Sequence, residues 1–155
     1  MTDEYRLRKI LPADIDFLFA LANDPEVRRN SINTSEILYQ EHCDWFMKKI
    51  NSATSHNLIL EKASEPVGQI RFEFNDTEKI WEIGYSITSQ YRGKGLGKLI
   101  IQKGIEFAGV YPVCGYVKEE NKISQSIFNS LGFSNEGIYY IKNCPLIKYV
   151  KRSAL

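Results

Sequence analysis

The sequence predicts a mixed α/β domain with helices packed on a central sheet. Three observations lead there. Apolar residues recur at helical spacing in four separate stretches, and short runs of strand-forming residues alternate with turn-prone segments. Three of those strands follow one another, and a glycine-rich stretch, "SQYRGKGLGKLIIQKGIEFA", Ser89 to Ala108, leads directly from the third into a helical pattern.

Tyr5 to Ile10 alternates as a short strand. Pro12 then suits a first helical turn, ahead of Ile15, Leu18, Phe19 and Ala22 at helical spacing. This helix stops before Asp24-Pro25, because proline pushes its predecessor out of the helical region. A second helix is expected from the N-cap types Asn33, Thr34 and Ser35 to about Ile50, with Leu38, His42, Trp45, Phe46 and Lys49 along one face. Leu58 to Leu60, Val67 to Phe74 and Ile80 to Ile87 form an antiparallel meander broken by "KASEP" and "NDTEK". After Gly97 the apolar residues Ile100, Ile101, Ile105 and Ala108 cover one side of a helix, while Lys98, Gln102 and Glu106 share the other. Val113 to Lys118 is a strand, and Ile123 to Leu131 a helix closed by Gly132. Ile138 to Ile141 and Leu146 to Val150 are two last strands around "KNCP".

The 155 residues fit a single domain, 1–155. Lysine plus arginine (20) nearly balance aspartate plus glutamate (19), so no net field marks a nucleic-acid or membrane binder, and a partner must be recognised locally. Cys43, Cys114 and Cys144 are far apart and in no zinc or dithiol spacing, which predicts reduced thiols, no metal and a cytoplasmic location. "MTDEYRLRKILPAD" carries no apolar leader, and the apolar run Phe17 to Ala22 is far short of a membrane span.

Glycines at alternate positions can turn successive N–H groups toward one point, and a helix starting there adds its unpaired first-turn amides and positive dipole end. This is the chemistry of a pyrophosphate cradle. Two familiar phosphate motifs do not fit: Gly97-Lys98 is followed by Leu99 rather than Ser or Thr, and Gly93, Gly95 and Gly97 are each two apart. Taken alone, the glycines are equally compatible with a tight strand-to-helix turn.

"QYRGKG", Gln90 to Gly95, resembles the acetyl-coenzyme A signature Q/R-x-x-G-x-G/A of the GNAT superfamily of N-acetyltransferases. "ENKISQSIFNSLGF", Glu120 to Phe133, is similar to that superfamily's N-x-x-A/S-x-x-x-Y-x-x-x-G-F stretch, with Asn121, Ser124, Gly132 and Phe133 in register. The resemblance covers nearly the whole chain. It implies a mostly antiparallel sheet of about seven strands flanked by about four helices, with acetyl-CoA as co-substrate. It also implies that Arg92, Gly93, Lys94, Gly95, Leu96 and Gly97 present backbone amides to the pyrophosphate, that Ile87 and Ser89 bond the pantetheine through their backbone, and that Asn121 contacts the pantetheine arm or thioester. The Arg92 and Lys94 side chains either reach the adenosine phosphates or are solvated loop charges.

Acetyl transfer to an amine needs a free lone pair, a stabilised oxyanion and a leaving thiolate. Glu82 shares one face of its strand with Gly84 and Ser86 and is either the base or a solvent-side carboxylate; Glu73 is the reserve. The position of the superfamily's frequent tyrosine acid is Phe128, which borders the cofactor but has no proton to give. Ser124, one turn before it, either points at the thioester sulfur or back-bonds to a carbonyl near Glu120.

The acceptor wall is expected from Asn23, Arg28, His42, Trp45, Arg71 and Tyr85. "NDPEVRRNS", "EHCDWF" and "GQIRF" resemble bacterial enzymes that acetylate a 4-amino group on nucleotide-linked deoxysugars. Arginine, histidine and tryptophan suit phosphate and a sugar or base. Read singly, these residues are equally compatible with core packing and solvated helix ends. The alternatives are a protein N-terminal acetyltransferase of the ribosomal-protein type and a non-catalytic acyl-CoA-binding module. Either a monomer or a homodimer is compatible with the sequence.

Overall fold

A computed structural model describes residues 4–154; the ends of the expected 1–155 domain, Met1 to Asp3 and Leu155, lie outside the described residues. Seven strands form one sheet in the order β1-β2-β3-β4-β5-β7-β6: β1 (Tyr5–Lys9), β2 (Ser55–Lys62), β3 (Glu65–Asn75), β4 (Ile80–Ile87), β5 (Val113–Val117), β6 (Ser134–Ile141) and β7 (Cys144–Lys151). Every neighbouring pair is antiparallel except β4 and β5. The mostly antiparallel mixed α/β expectation therefore holds.

Five helices accompany the sheet: α1 (Ile15–Ala22), α2 (Pro25–Asn30), α3 (Tyr39–Lys49), α4 (Leu96–Ala108) and α5 (Lys122–Ser130). The expected four omit α2. Its signal is local: the Asp24 side chain accepts from Glu26 N–H and Val27 N–H, and Pro25 opens the first turn, where its missing N–H costs nothing. The second expected helix also starts later than Asn33. Residues 31–38 form a loop, in which Asn33 Oδ1 caps only a local turn at Ser35 N–H.

Alternation within β2 explains how one sheet serves two helical layers. Leu58 and Leu60 are buried in the large core with Ile70, Phe72, Ile100 and Ile101, whereas Ile59 is buried on the opposite face with Leu18 and Phe46 from α1 and α3. Period-two burial thus places α4 on one face and the α1–α3 pair on the other.

The parallel junction positions the site. β4 and β5 pair only at Trp81↔Val113, Glu82↔Cys114 and Ile83↔Gly115, although β4 continues to Ile87 and β5 to Val117. Past Ile83 the strands separate, leaving the β5-facing backbone of Gly84 to Ile87 without a strand partner. The first turn of α4 follows immediately.

Candidate active site

The separation of β4 and β5 opens into a cleft of about 1500 Å³ bordered by the α2 region, α3, β3, β4 and the first turns of α4 and α5. At one end lies the loop into α4. Gly93 and Gly95 have φ of 77° and 78°, the left-handed region that side chains strain to enter, and no atom lies within 4 Å of where a Cβ would stand on either. Gly97 is needed for a different reason: a Cβ there would lie 2.7 Å from Ile127 Cδ1 and 3.3 Å from the Tyr85 ring, so its bareness lets α4 approach α5 and β4. Leu99 N–H bonds back to Gly95 O at 3.3 Å, and the amides of Leu96, Gly97 and Lys98 before it have no intrahelical acceptor. Open backbone, free amides and a helix N-terminus coincide, which is what an anionic pyrophosphate requires.

Of the loop charges, Arg92 is committed to protein: Nη2 bonds Asp24 Oδ1 at 2.8 Å and Nε pairs with Glu26 Oε2 at 2.9 Å, tying the loop to α2. Lys94 is exposed, stands 5.5 Å from the Tyr91 ring centroid and does not line the cleft; nor does Ser89, which opens a short 3-10 turn, Ser89–Tyr91. The Lys94 side chain is thus a solvated loop charge, and the roles expected of Lys94 and Ser89 through their backbone do not depend on where their side chains lie. Asn121 caps α5 through a bond from Ser124 N–H at 3.2 Å, and both residues line the cleft.

Ser124 is buried but does not back-bond to the preceding turn. Its hydroxyl is 2.7 Å from the Tyr85 hydroxyl. Burial raises the Tyr85 pKa above the ordinary tyrosine value, with the Ser124 bond partly offsetting this. Phe128, also buried, packs against Tyr85 edge-on and stacks on Tyr149.

Away from the glycine loop the cleft is walled by one face of β3 and β4. Glu82 lines the cleft directly across from Glu73, so the two carboxylates face one another. Each is answered: Asn75 Nδ2 donates to Glu82 Oε2 at 3.0 Å, and Lys49 Nζ pairs with Glu73 Oε2 at 2.8 Å. Two positions along, Arg71 lies over Gly84, where an added Cβ would come within 2.9 Å of its Cζ. Gln69 Nε2 donates to Ser86 Oγ at 2.9 Å beyond it. Solvent reaches the Arg71 guanidinium from the cleft, while the protein on its other sides lowers its pKa by desolvation, partly offset by Glu73. Among the described residues no hydrogen bond or ion pair holds it.

The other expected acceptor residues divide. Trp45 and His42 line the cleft, and their rings stack at 5.7 Å. His42 Nε2, however, donates to Ile15 O at 2.8 Å, which makes it a buried tie between α3 and α1. Arg28 lines the cleft with its donors spent on Ala22 O, Asn33 O, Ser35 O and Ser31 Oγ. Asn23 must be removed from the wall: its amide exchanges two bonds with the Ile37 backbone, at 2.8 and 2.9 Å, and does not line the cleft. Asn23 and Arg28 together hold the 31–37 loop. Tyr116, which lines the cleft from β5, is absent from the sequence expectation, since nothing in a short strand of the sequence reveals which face meets a cavity.

The chain matches the model of the acetyltransferase (GNAT) domain over residues 5–134. It belongs to the GNAT family. This GNAT chain is 28% identical over 148 residues, 88% of its length and 83% of the relative's, to the uncharacterized N-acetyltransferase p20 of Bacillus licheniformis. Its fold is shared by a spermidine N-acetyltransferase from Vibrio cholerae in complex with CoA and spermine, at a TM-score of 0.84 and 17% identity, covering 97% of this chain and 96% of that one. A ribosomal L7/L12 α-N-protein acetyltransferase in complex with coenzyme A matches at 0.79 and 13%, covering 97% and 95%. The protein is an acetyl-CoA-dependent N-acetyltransferase of the GNAT kind.

Proposed function

We propose that this GNAT enzyme acetylates a primary amine on an acceptor that also carries an anionic group, namely the 4-amino group of a nucleotide-linked deoxysugar. The observation that carries this reading is the unpaired Arg71 guanidinium in the cleft, on the same face as Glu82. A partly desolvated cation with no hydrogen bond or ion pair of its own raises the energy of the empty site, and a phosphate can satisfy it with two parallel hydrogen bonds. Arg28 adds positive potential nearby: its own pKa is lowered first by desolvation and then by the charge of Arg71. Gly84, beneath Arg71, lies two strand residues from Glu82, roughly 7 Å along β4 at about 3.3 Å per residue. An amine beside Glu82 and an anion at Arg71 therefore fit one small acceptor. Trp45 and Tyr116 supply flat surface for its sugar or base.

In this reading the α4 first turn and its glycine loop hold the pyrophosphate of acetyl-CoA, and the unpaired edge of β4 takes the pantetheine arm. Acetyl-CoA supplies the activated acyl group. Glu82, oriented by Asn75, accepts the proton that the acceptor ammonium must lose, directly or through water.

The test compares rates for a 4-amino-sugar nucleotide, the same sugar without its nucleotide, a polyamine and N-terminal peptides. The sugar nucleotide is expected to be fastest, and Arg71→Ala should raise its KM about tenfold or more while leaving the nucleotide-free sugar unaffected. Preference for peptides or polyamines would overturn the acceptor assignment. Equal rates with and without the nucleotide would remove the role given to Arg71.

A further inference from the structure

One polar pair in the cleft, Tyr85 and Ser124, is satisfied mutually, and Tyr85, expected in the acceptor wall, is turned toward α5 instead. Tyr85 leaves β4 two residues past Ile83, the last residue paired with β5, and crosses to α5, where its hydroxyl meets Ser124 Oγ at 2.7 Å. Its ring stands against the first turn of α4: a Cβ on Gly97 would lie 3.3 Å from Tyr85 Cε2 and 3.8 Å from the hydroxyl oxygen. The two hydroxyls thus sit between the start of α4 and the start of α5, with Ile127 and Phe128 as apolar neighbours. Withdrawing two hydroxyls from water for one mutual bond gains little stability, and a phenylalanine–alanine pair would pack the same gap without that cost. Asn121 fixes the Ser124 backbone from below, so the pair is held as well as placed.

We infer that the Tyr85 hydroxyl, positioned by Ser124, donates a hydrogen bond to the sulfur of coenzyme A as it leaves. A phenol has one proton to donate, so when Tyr85 turns it to the sulfur, Ser124 donates its own to the Tyr85 oxygen. Phe128, one turn beyond Ser124, carries no polar group to share this role. The proton remains on Tyr85 throughout. A free thiol titrates near 8.5 and tyrosine near 10, and burial raises Tyr85 further, so complete transfer to the sulfur would run uphill. The C–S bond breaks with its electron pair on sulfur, the thiolate is stabilised by the hydrogen bond, and water later delivers the proton that the acceptor nitrogen has released. Tyr85 thereby acts as an electrostatic stabiliser in a partly dry site, where such a bond is worth most. The inference rests on acetyl-CoA being the acyl donor and is independent of the acceptor.

The decisive measurement is the thiol titration of bound coenzyme A, followed by thiolate absorbance in the ultraviolet against desulfo-coenzyme A as blank, with no acceptor present. In the parent the bound thiol should ionise more readily than in Tyr85→Phe, by about tenfold in the thiolate-to-thiol ratio at a given pH. In turnover, Tyr85→Phe should lower kcat roughly 10- to 100-fold with the KM for acetyl-CoA nearly unchanged, and Ser124→Ala should lower it less. Identical titrations in parent and variant would overturn the inference. So would a rise in KM for acetyl-CoA with kcat retained, which would make Tyr85 a contact of the pantetheine arm. Should Tyr85→Phe not fold, the same titration on Ser124→Ala decides the matter: a less readily ionised thiol supports the inference, and a titration identical to the parent's overturns it. Because no acceptor is present, a wrong acceptor assignment leaves the titration untouched; failure of the parent to bind coenzyme A would overturn the acyl-donor reading and this inference with it.

Discussion

At the scale of single residues, Glu82 shows how a carboxylate on a strand becomes useful. It faces a cleft rather than bulk water, Glu73 stands across from it, and Asn75 orients it with one hydrogen bond. Lys49 pairs with Glu73 at 2.8 Å, so the charge standing across from Glu82 is balanced within the protein. If Glu82 accepts the acceptor's proton, Glu82→Gln should lower kcat about 100-fold near neutral pH and progressively less at alkaline pH, where the amine is already free. A pH–rate profile of both proteins checks this; an equal loss at every pH would assign Glu82 to binding or folding instead. Gly95 and Gly97 make a second point at this scale. They are two residues apart in one motif, yet one is required by its backbone angle and the other by the approach of Ile127.

At the scale of elements, α2 is a six-residue helix, too short to be stable by itself, and it is held by charge. Asp24 caps it and also receives Arg92 from the glycine loop, so one carboxylate joins α2 to that loop. Desolvation pushes the Asp24 pKa up, but the Arg92 bond and the two capping N–H groups outweigh it, and the net pKa is below the ordinary aspartate value. A carboxyl whose folded pKa is depressed contributes stability that is present above its unfolded pKa, near 3.9, and is lost as pH falls through the folded value. Asp24→Ala should therefore destabilise by about 1–2 kcal/mol at pH 7, and the gap to the parent should narrow below about pH 4. Urea titrations at pH 7 and pH 3 measure both numbers. A gap that stays constant between them would show that the charge contributes nothing.

At the scale of the whole molecule, the cleft exists because two strands that begin as parallel neighbours part after three residue pairs. A ligand that occupies it binds only the folded chain. Acetyl-CoA at about 100 times its Kd should then add about 2.7 kcal/mol, which for a domain of this size is roughly 5–10 °C in Tm. Gly95→Val, forced into a left-handed conformation, should itself cost about 1–2 kcal/mol and lose most of that ligand shift. Thermal melts of both proteins with and without acetyl-CoA test the cradle; a full shift in the variant would show that the loop backbone is not where the cofactor binds.

What the sequence determined by itself was everything governed by local chemistry or period. Alternation set the strands, helical spacing set α1, α4 and α5, and the glycine loop running into a helix marked a bare-backbone turn with the chemistry to cradle an anion. The pair Asp24-Pro25 acts in both directions, since the proline that ends α1 also opens α2 under the Asp24 cap. What only the tertiary structure decided was the commitment of each polar side chain. Asn23, Arg28 and His42 have the chemistry of ligands, and the fold spends them on the backbone of Ile37, on the 31–35 loop carbonyls and on Ile15. Arg71 has the same chemistry and is left free, while Ser124 finds Tyr85, 39 residues away. A hydrogen-bonding group is available to a ligand only when no neighbour has claimed it, and those neighbours come from elements distant in sequence.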